Sequence, residues 1–457
     1  MIARVGEITS ELFRRTAPDP FVIAILLTVA TLLLGWRLSD ATLLGLIGSW
    51  AGTQGVWNPG ILTFALQMCL ILVTGHALAS SPPMSRLLDT LARLPRSPAQ
   101  ACLLVGVSAI TLGLVNWGLG LIGGALLARR VGIGCEQQGI PVHYPLLAAS
   151  GYLAMLVWHG GLSGSAPLKV TTPEQMAELG LDAAPLAFTS TVLSPMNLLI
   201  TGGLLILAPT LLALMLPPNP AKRMSASTLG VTPTKPRAAL DTADKPLIPR
   251  LLEDSPIVSW LLVAMIGAWA WMYYFPASGP SGITQLTPNT VNLTMLMLGL
   301  ILHGSPSRYI RAIEAAAGSC AGIILQFPLY AGIMGLMAAS GLSQRLAGAV
   351  DSLATAETLP LLTFASAALL NLFVPSGGGQ WAIQGPIALE AAAATGADPA
   401  KVVMSVAYGD QLTNMLQPFW ALPLLAITGV KARDIVGYTA IVMAVAAVWI
   451  AVCLWLW

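Results

Sequence analysis

The chain alternates long apolar runs with short polar breaks. Apolar runs at about 20–37, 57–80, 144–168, 189–216, 256–275, 289–304, 320–340, 402–428 and 434–456 come close to or exceed the 17–25 residues that an α-helix needs to cross a bilayer. Ten-residue segments of strict alternation, the mark of a membrane barrel, do not recur. The pattern therefore predicts an all-α polytopic membrane protein. Short amphipathic pieces at 40–52 and 306–319 read as connectors at the membrane surface. The first apolar run follows Arg14 and Arg15 and lacks a small-residue cleavage site, so it is expected to remain a membrane helix.

Two other uncharged runs do not fit one straight helix. Ser97–Ala128 and Thr358–Leu389 each hold 32 residues, with NWGLGLIGG inside the first and VPSGGGQW inside the second. Each has room for two short helices with a turn between them. The pattern predicts two re-entrant hairpins, at about 97–128 and about 358–389. Non-helical backbone at membrane depth is tolerated where protein or a water-filled cavity surrounds it. Two apolar spans are also interrupted, by WHGGLSGSAPL at 158–168 and by TNMLQPFWALP at 413–423. These predict broken helices at about 144–168 and about 402–428.

The polar segment 217–254 is rich in Pro, Ser, Thr and charge, and reads as a flexible linker. It divides the chain into a first repeat, 1–216, and a second, 255–457. LQMCLILVTGHALASSPPMSRLL (66–88) lies over LQFPLYAGIMGLMAASGLSQRLA (325–347), Asn116 over Asn371, and YLAMLVWHGGLSGSAPL (152–168) over YGDQLTNMLQPFWALPL (408–424). The order is conserved and the offset stays nearly constant. Lys222, Arg223, Lys235, Arg237, Lys245 and Arg250 place the linker in the cytoplasm. Arg86, Arg93, Arg96, Arg129 and Arg130 flank the first run, whereas Asp351, Glu357, Glu390 and Asp398 flank the second. The two hairpins are thus expected to open to opposite sides. The unpaired span at 256–275 would invert the second repeat. Inverted repeats with broken helices are a transporter pattern, with the site near the midplane between them.

Composition sharpens this picture. Charged residues are 9% of the chain and hydrophobic ones 56%, against about 25% charged in soluble domains. A net charge of +2 without a basic cluster gives no reason to expect nucleic acid. The five cysteines are scattered, so no metal site or cofactor is expected.

The breakers carry the candidate chemistry. A helix N-terminus exposes unpaired N–H groups with partial positive charge, and in a dry setting these attract an anion. Glycine lets a ligand come close to that backbone. The alternative for the glycines is close helix packing. On the anion reading, Ser376, Gly377, Gly378, Gly379 and Gln380 supply one side of a carboxylate site. Asn116, Trp117, Gly118, Ser163, Gly164 and Ser165 supply the other, with Thr413 and Asn414 completing it. Hydroxyls, amides and backbone, without an intramembrane Lys or Arg, suit a small singly charged substrate. Trp117, Trp158, Trp381, Phe419 and Trp420 are candidates to wall its apolar part, against a role in core or lipid packing. A carboxylate within a span costs roughly 2.5–3.5 kcal/mol on insertion scales, which makes Asp410 a candidate to carry a coupling ion. His159 at the first break is a second candidate.

ILVTGHALASS, VNWGLGLIGGALLAR, GGLSGSAPL, VPSGGGQWAIQGP and QPFWALPLLAI together resemble the bacterial short-chain fatty acid transporter family over essentially the full chain. More distantly, the chain is similar to the superfamily that includes the sodium–dicarboxylate symporters. The resemblance implies an elevator-type carrier with scaffold and transport domains, a homodimer in the bacterial cytoplasmic (inner) membrane with a cytoplasmic N-terminus, and uptake of small monocarboxylates by cation symport. The symporters' Ser-Asn-Thr tip motif is absent. Asn116-Trp117-Gly118 and Ser376-Gly377-Gly378 stand in its places, so proton and sodium both remain open as coupling ion. The competing functions are a passive small-anion channel and an intramembrane hydrolase. The second lacks a GxSxG elbow, an HExxH motif or paired intramembrane carboxylates.

Overall fold

The computed structural model describes residues 2–173, 176, 184–231, 246–277, 287–348 and 354–457. Lys235, Arg237, Lys245 and Asp351, which entered the orientation argument, lie outside them. Helix is the only regular element among the described residues, and nine helices there are long and apolar enough to cross a membrane.

The first uncharged run folds as two helices, Pro98–Val115 and Trp117–Gln137, hinged on the single residue Asn116. Ser97 starts the pair by accepting the Gln100 N–H, with Pro98 in the first turn, where its missing donor costs nothing. The arms run antiparallel in close contact. A β-carbon on Gly120 would stand 2.4 Å from the Gly113 Cα, and one on Gly124 would stand 2.8 Å from the Ala109 Cβ. The outgoing arm continues past the expected end at 128. Arg129 and Arg130 lie within the helix rather than at its flank, because charge does not end a helix. The stop comes at Gly139, at φ +70°.

The second run folds as Leu359–Asn371 and Gly377–Thr395, joined through residues 372–376. Its outgoing arm also overshoots the expected end at 389, because Glu390 lies within the helix and Gly396, at φ +74°, caps it. Both interrupted spans are broken in the structure. The first runs as an α-helix over Tyr144–Tyr152, then 3₁₀ turns, then extended backbone at Gly161 and Gly164 before a last turn at Ser165–Leu168. The second is split between Pro399–Thr413 and Pro418–Thr428.

Burial sorts these elements by depth. In the most apolar 18-residue window of Tyr144–Leu168, 89% is buried, against 17% for that of Pro20–Leu38. The first broken helix is thus central, and Pro20–Leu38 has the exposed apolar surface of a lipid-facing helix. Helices of the two halves interleave rather than sit side by side. Pro20–Leu38 packs on Ala321–Ala339, Pro59–Ser80 on Pro288–His303, and the N-terminal helix Ile2–Thr16 on Ala432–Leu456. That N-terminal helix, and the helix Pro82–Ala92, carry too much polar surface to be read as spans.

The described part of the linker departs from a free coil. The carboxylate of Glu136, at the end of the first hairpin, accepts the Ser227 N–H and hydroxyl. Arg223 donates to the carbonyls of Pro217 and Pro141. Tyr144 N–H donates to the Met224 carbonyl at 2.8 Å. Composition alone reads such a segment as flexible. Here its polar groups find partners on the helix ends beneath it.

Candidate functional site

The site is built where the two breaks meet. At the first tip every early donor is spent within the chain. The Asn116 side-chain oxygen accepts the N–H groups of Gly118 and Leu119 at 3.0 and 3.2 Å, and its carbonyl accepts that of Gly120. Trp117 N–H donates to the Ser163 hydroxyl at 3.1 Å, and Leu162 N–H to the Leu114 carbonyl at 2.7 Å. The first break is thereby tied to the first tip. Gly164 packs so closely that a β-carbon there would stand 2.2 Å from the His159 carbonyl oxygen. Ser165 is half-buried and opens the last turn.

Across this break lies Asp410. His159 and Asp410, separate candidates in the sequence, form one buried pair with Nδ1 and Oδ1 3.1 Å apart and side chains 1% and 2% exposed. The His159 Nε2 accepts the Ala166 N–H at 2.9 Å. With Nε2 an acceptor, Nδ1 carries the proton and donates it to the carboxylate. Gln411 holds the same turn, its Oε1 accepting the N–H groups of His159 and Gly160. Asp410 Oδ2 is buried and has no partner among the described residues. A buried carboxylate with one oxygen bonded and one unsatisfied is a place where a proton or cation would relieve an electrostatic cost.

The second tip reaches the same point. A β-carbon on Gly377 would stand 2.6 Å from the benzo edge of Trp158 and 3.1 Å from His159 Cε1. The Ser376 hydroxyl accepts the Gly379 N–H at 3.2 Å, and its carbonyl accepts that of Gln380. The N–H groups of Gly377 and Gly378 have no acceptor among the described residues. Nor has the buried Trp158 Nε1, whose ring stacks on His159. Ser376 also lines an open cavity of about 550 Å³, shared with Thr63, Phe64 and Gln67 from the start of the helix Pro59–Ser80.

Phe64 gave no signal in the sequence, because it sits in an ordinary apolar run. Its ring lies 5.9 Å from Trp117, 5.8 Å from Trp420 and 5.9 Å from Phe327. Trp117, Trp158 and Trp420 are in mutual contact, and Phe419 stacks on Phe327. Trp381 stands apart from this aromatic group, fully buried among Ala166, Val402 and Val406.

Three of the expected ligand-facing residues are engaged elsewhere. Gln380 is fully buried and donates its amide to the Ala367 carbonyl and Gln384. Thr413 and Asn414 receive the side-chain amide of Asn371 at 3.0 and 2.9 Å. Asn371 had matched Asn116 in the repeat. Here it ties the second hairpin to the second break instead of capping its own tip. Among the described residues no group of three His, Cys, Asp or Glu side chains gathers to hold a metal ion.

Comparison with known proteins gives concordant matches. Residues 1–457 match the model of a family described as short chain fatty acid transporter. Two relatives whose names refer to short-chain fatty acid transport share this length. One, from Escherichia coli strain K12, is 40% identical over 446 residues, and one, from Haemophilus influenzae, is 39% identical over 448. Each match covers 96% of this chain and 96% of the relative. Among solved structures, the YdaH transporter of Alcanivorax borkumensis is 17% identical with a TM-score of 0.45, over 96% of this chain and 98% of that one. MtrF of Neisseria gonorrhoeae, placed in a class of antimetabolite efflux pumps, is 16% identical with a TM-score of 0.42, over 97% and 96%.

Proposed function

The chain belongs to the short-chain fatty acid transporter family, and on that premise we propose that it carries small monocarboxylates across the bacterial cytoplasmic membrane by cation-coupled symport. The family is one of transporters, not of enzymes. The observation that carries the reading is the cavity at the second tip. Ser376, next in the chain to the two unspent N–H groups, lines it together with Phe64, whose ring leans on Trp117 and Trp420. About 550 Å³ is within the range of small-ligand sites, roughly 300–1,000 Å³.

In this reading the carboxylate sits on the Gly377 and Gly378 N–H groups and accepts from Ser376, while the acyl tail lies along Phe64. A neutral donor set suits a single charge. Asn116, Ser163 and Gly164 act as positioning residues that fix the first tip against the break. The Asp410 Oδ2 takes the coupling proton or sodium ion beside His159. Two inverted repeats, re-entrant hairpins, an elevator movement of the hairpin-bearing bundle against a scaffold, a homodimer and a cytoplasmic N-terminus and linker complete the proposal. The charge flanks and interleaved halves support it.

Uptake of labelled butyrate and acetoacetate into proteoliposomes, under an imposed proton gradient and then a sodium gradient, tests it. Accumulation above equilibrium that follows one gradient is expected. Asp410→Asn keeps an acceptor for the His159 proton but removes the charge, and should abolish accumulation while the protein stays folded. Equilibration without accumulation would point to a channel. No movement of either acid through folded protein would overturn the substrate class.

A further inference from the structure

A second polar cavity lies away from the proposed substrate site. It measures about 290 Å³ and is framed by the end of Pro59–Ser80, the helix Pro82–Ala92 and the far part of the first hairpin's outgoing arm. Three arginines converge on it, Arg93, Arg129 and Arg130, with His76 behind them and one acid, Asp89. Asp89 is already spent on Arg130, at 3.2 Å. Arg129 gives one nitrogen to the Ile427 carbonyl at 3.0 Å and, like Arg93, has no ion pair among the described residues. Two guanidinium charges are therefore uncompensated in a concave site. Arginines that only set topology need no cavity, and their side chains stay in water. Arg130, at 24% exposure, is drawn in.

We propose that this cavity binds the phosphate of an anionic phospholipid headgroup. Guanidinium forks match phosphate oxygens with paired donors, and basic pockets between helices on the cytoplasmic side suit such headgroups. The surroundings favour a lipid over a soluble anion. Leu87 and Leu94, beside the arginines, are 53% and 58% exposed, which leaves apolar surface for acyl chains next to the charge. Leu126 and Ile133 line the inner wall. Through Arg129 the headgroup would also bear on the C-terminal end of the second broken helix, at Ile427.

Native mass spectrometry of the detergent-purified full chain, titrated with phosphatidylglycerol, phosphatidylcholine or inorganic phosphate, tests this. Preferential retention of phosphatidylglycerol is expected. Each arginine removed, in Arg93→Gln and then Arg93→Gln/Arg129→Gln, should weaken it about fivefold, while Arg250→Gln on the linker leaves it unchanged. Melting curves in the same detergent check folding. If the double variant does not fold, Arg93→Gln alone decides, since its exposed side chain holds no other element. Inorganic phosphate that binds and displaces the lipid would assign the pocket to a soluble anion and overturn the lipid. No preference between the two lipids, or one that survives in the folded variants, overturns the site.

Discussion

The tip at Asn116 and the tip at Ser376 are made of like parts and differ in what they leave over. Both join antiparallel helices, and both start the outgoing arm with a polar cap and a glycine within the next two positions. At the first, two side chains and two carbonyls take the donors around the turn, and the arms touch through glycines with no space between them. At the second, two N–H groups remain and a β-carbon on Gly378 would meet nothing within 4 Å. The same glycine-rich composition thus serves close packing in one half and leaves open backbone in the other. Two tips of like composition need not leave the same groups free.

The largest effect should separate these two uses of glycine. In Gly120→Leu the new side chain runs into the Gly113 backbone, where a β-carbon alone would stand 2.4 Å away. Backbone cannot step aside as a side chain can, so the cost should exceed the roughly 1–3 kcal/mol of ordinary overpacking and no folded protein should elute as a single species from size exclusion. Gly378→Ala keeps its N–H and meets open space. It should fold normally and elute as a single species, with a raised KM for uptake because the new methyl enters the space the carboxylate would use. The reverse pattern would invert the comparison.

The difference between the tips was only half legible in the sequence. Helix breakers within uncharged runs point to both hairpins and both breaks, because few other residues interrupt a buried helix. Charged residues do not mark the arm ends; Gly139 and Gly396, both at positive φ, are the stops. Pairing was invisible. Nothing local says that His159 meets Asp410, 251 residues away, or that Asn116 spends its oxygen on its own tip while Asn371 turns to the second break. Phe64 and Trp381 show the same limit from opposite sides. An aromatic residue in an apolar run is conspicuous or plain in sequence regardless of which cluster it joins.

A smaller effect sharpens the contrast between the caps. Asn116→Ala leaves one buried and one part-buried N–H group without their acceptor. It should cost about 1–2 kcal/mol of stability, read as a lowered melting temperature, with little change in the KM of the protein that folds. Ser376→Ala loses one cap on a half-buried turn and one hydroxyl facing the cavity. Its melting temperature should move less, while the KM for butyrate rises about five- to tenfold, the worth of one hydrogen bond at about 1–1.5 kcal/mol. Equal KM values for the two variants would mean that the tips are functionally alike.

The smallest effect concerns what lies opposite the open tip. Phe64 lines the Ser376 cavity and leans on Trp117 and Trp420, so in the proposed site its ring would limit the room for an acyl tail. In Phe64→Ala the carboxylate end is untouched and the wall recedes. Longer acids should then compete better against butyrate uptake, by about fourfold for each methylene that finds room, at about 0.8 kcal/mol per buried CH₂. Trp381→Phe is the matched control: its ring packs among Ala166, Val402 and Val406, away from the cavity, and chain-length preference should stay as it was. A hexanoate-to-butyrate inhibition ratio that moves in Trp381→Phe but not in Phe64→Ala would place the acyl tail on the wrong side of the tip. A ratio that moves only in Phe64→Ala ties the open tip of the second half to an aromatic wall supplied by the first, and makes the site a joint product of two halves with unequal parts.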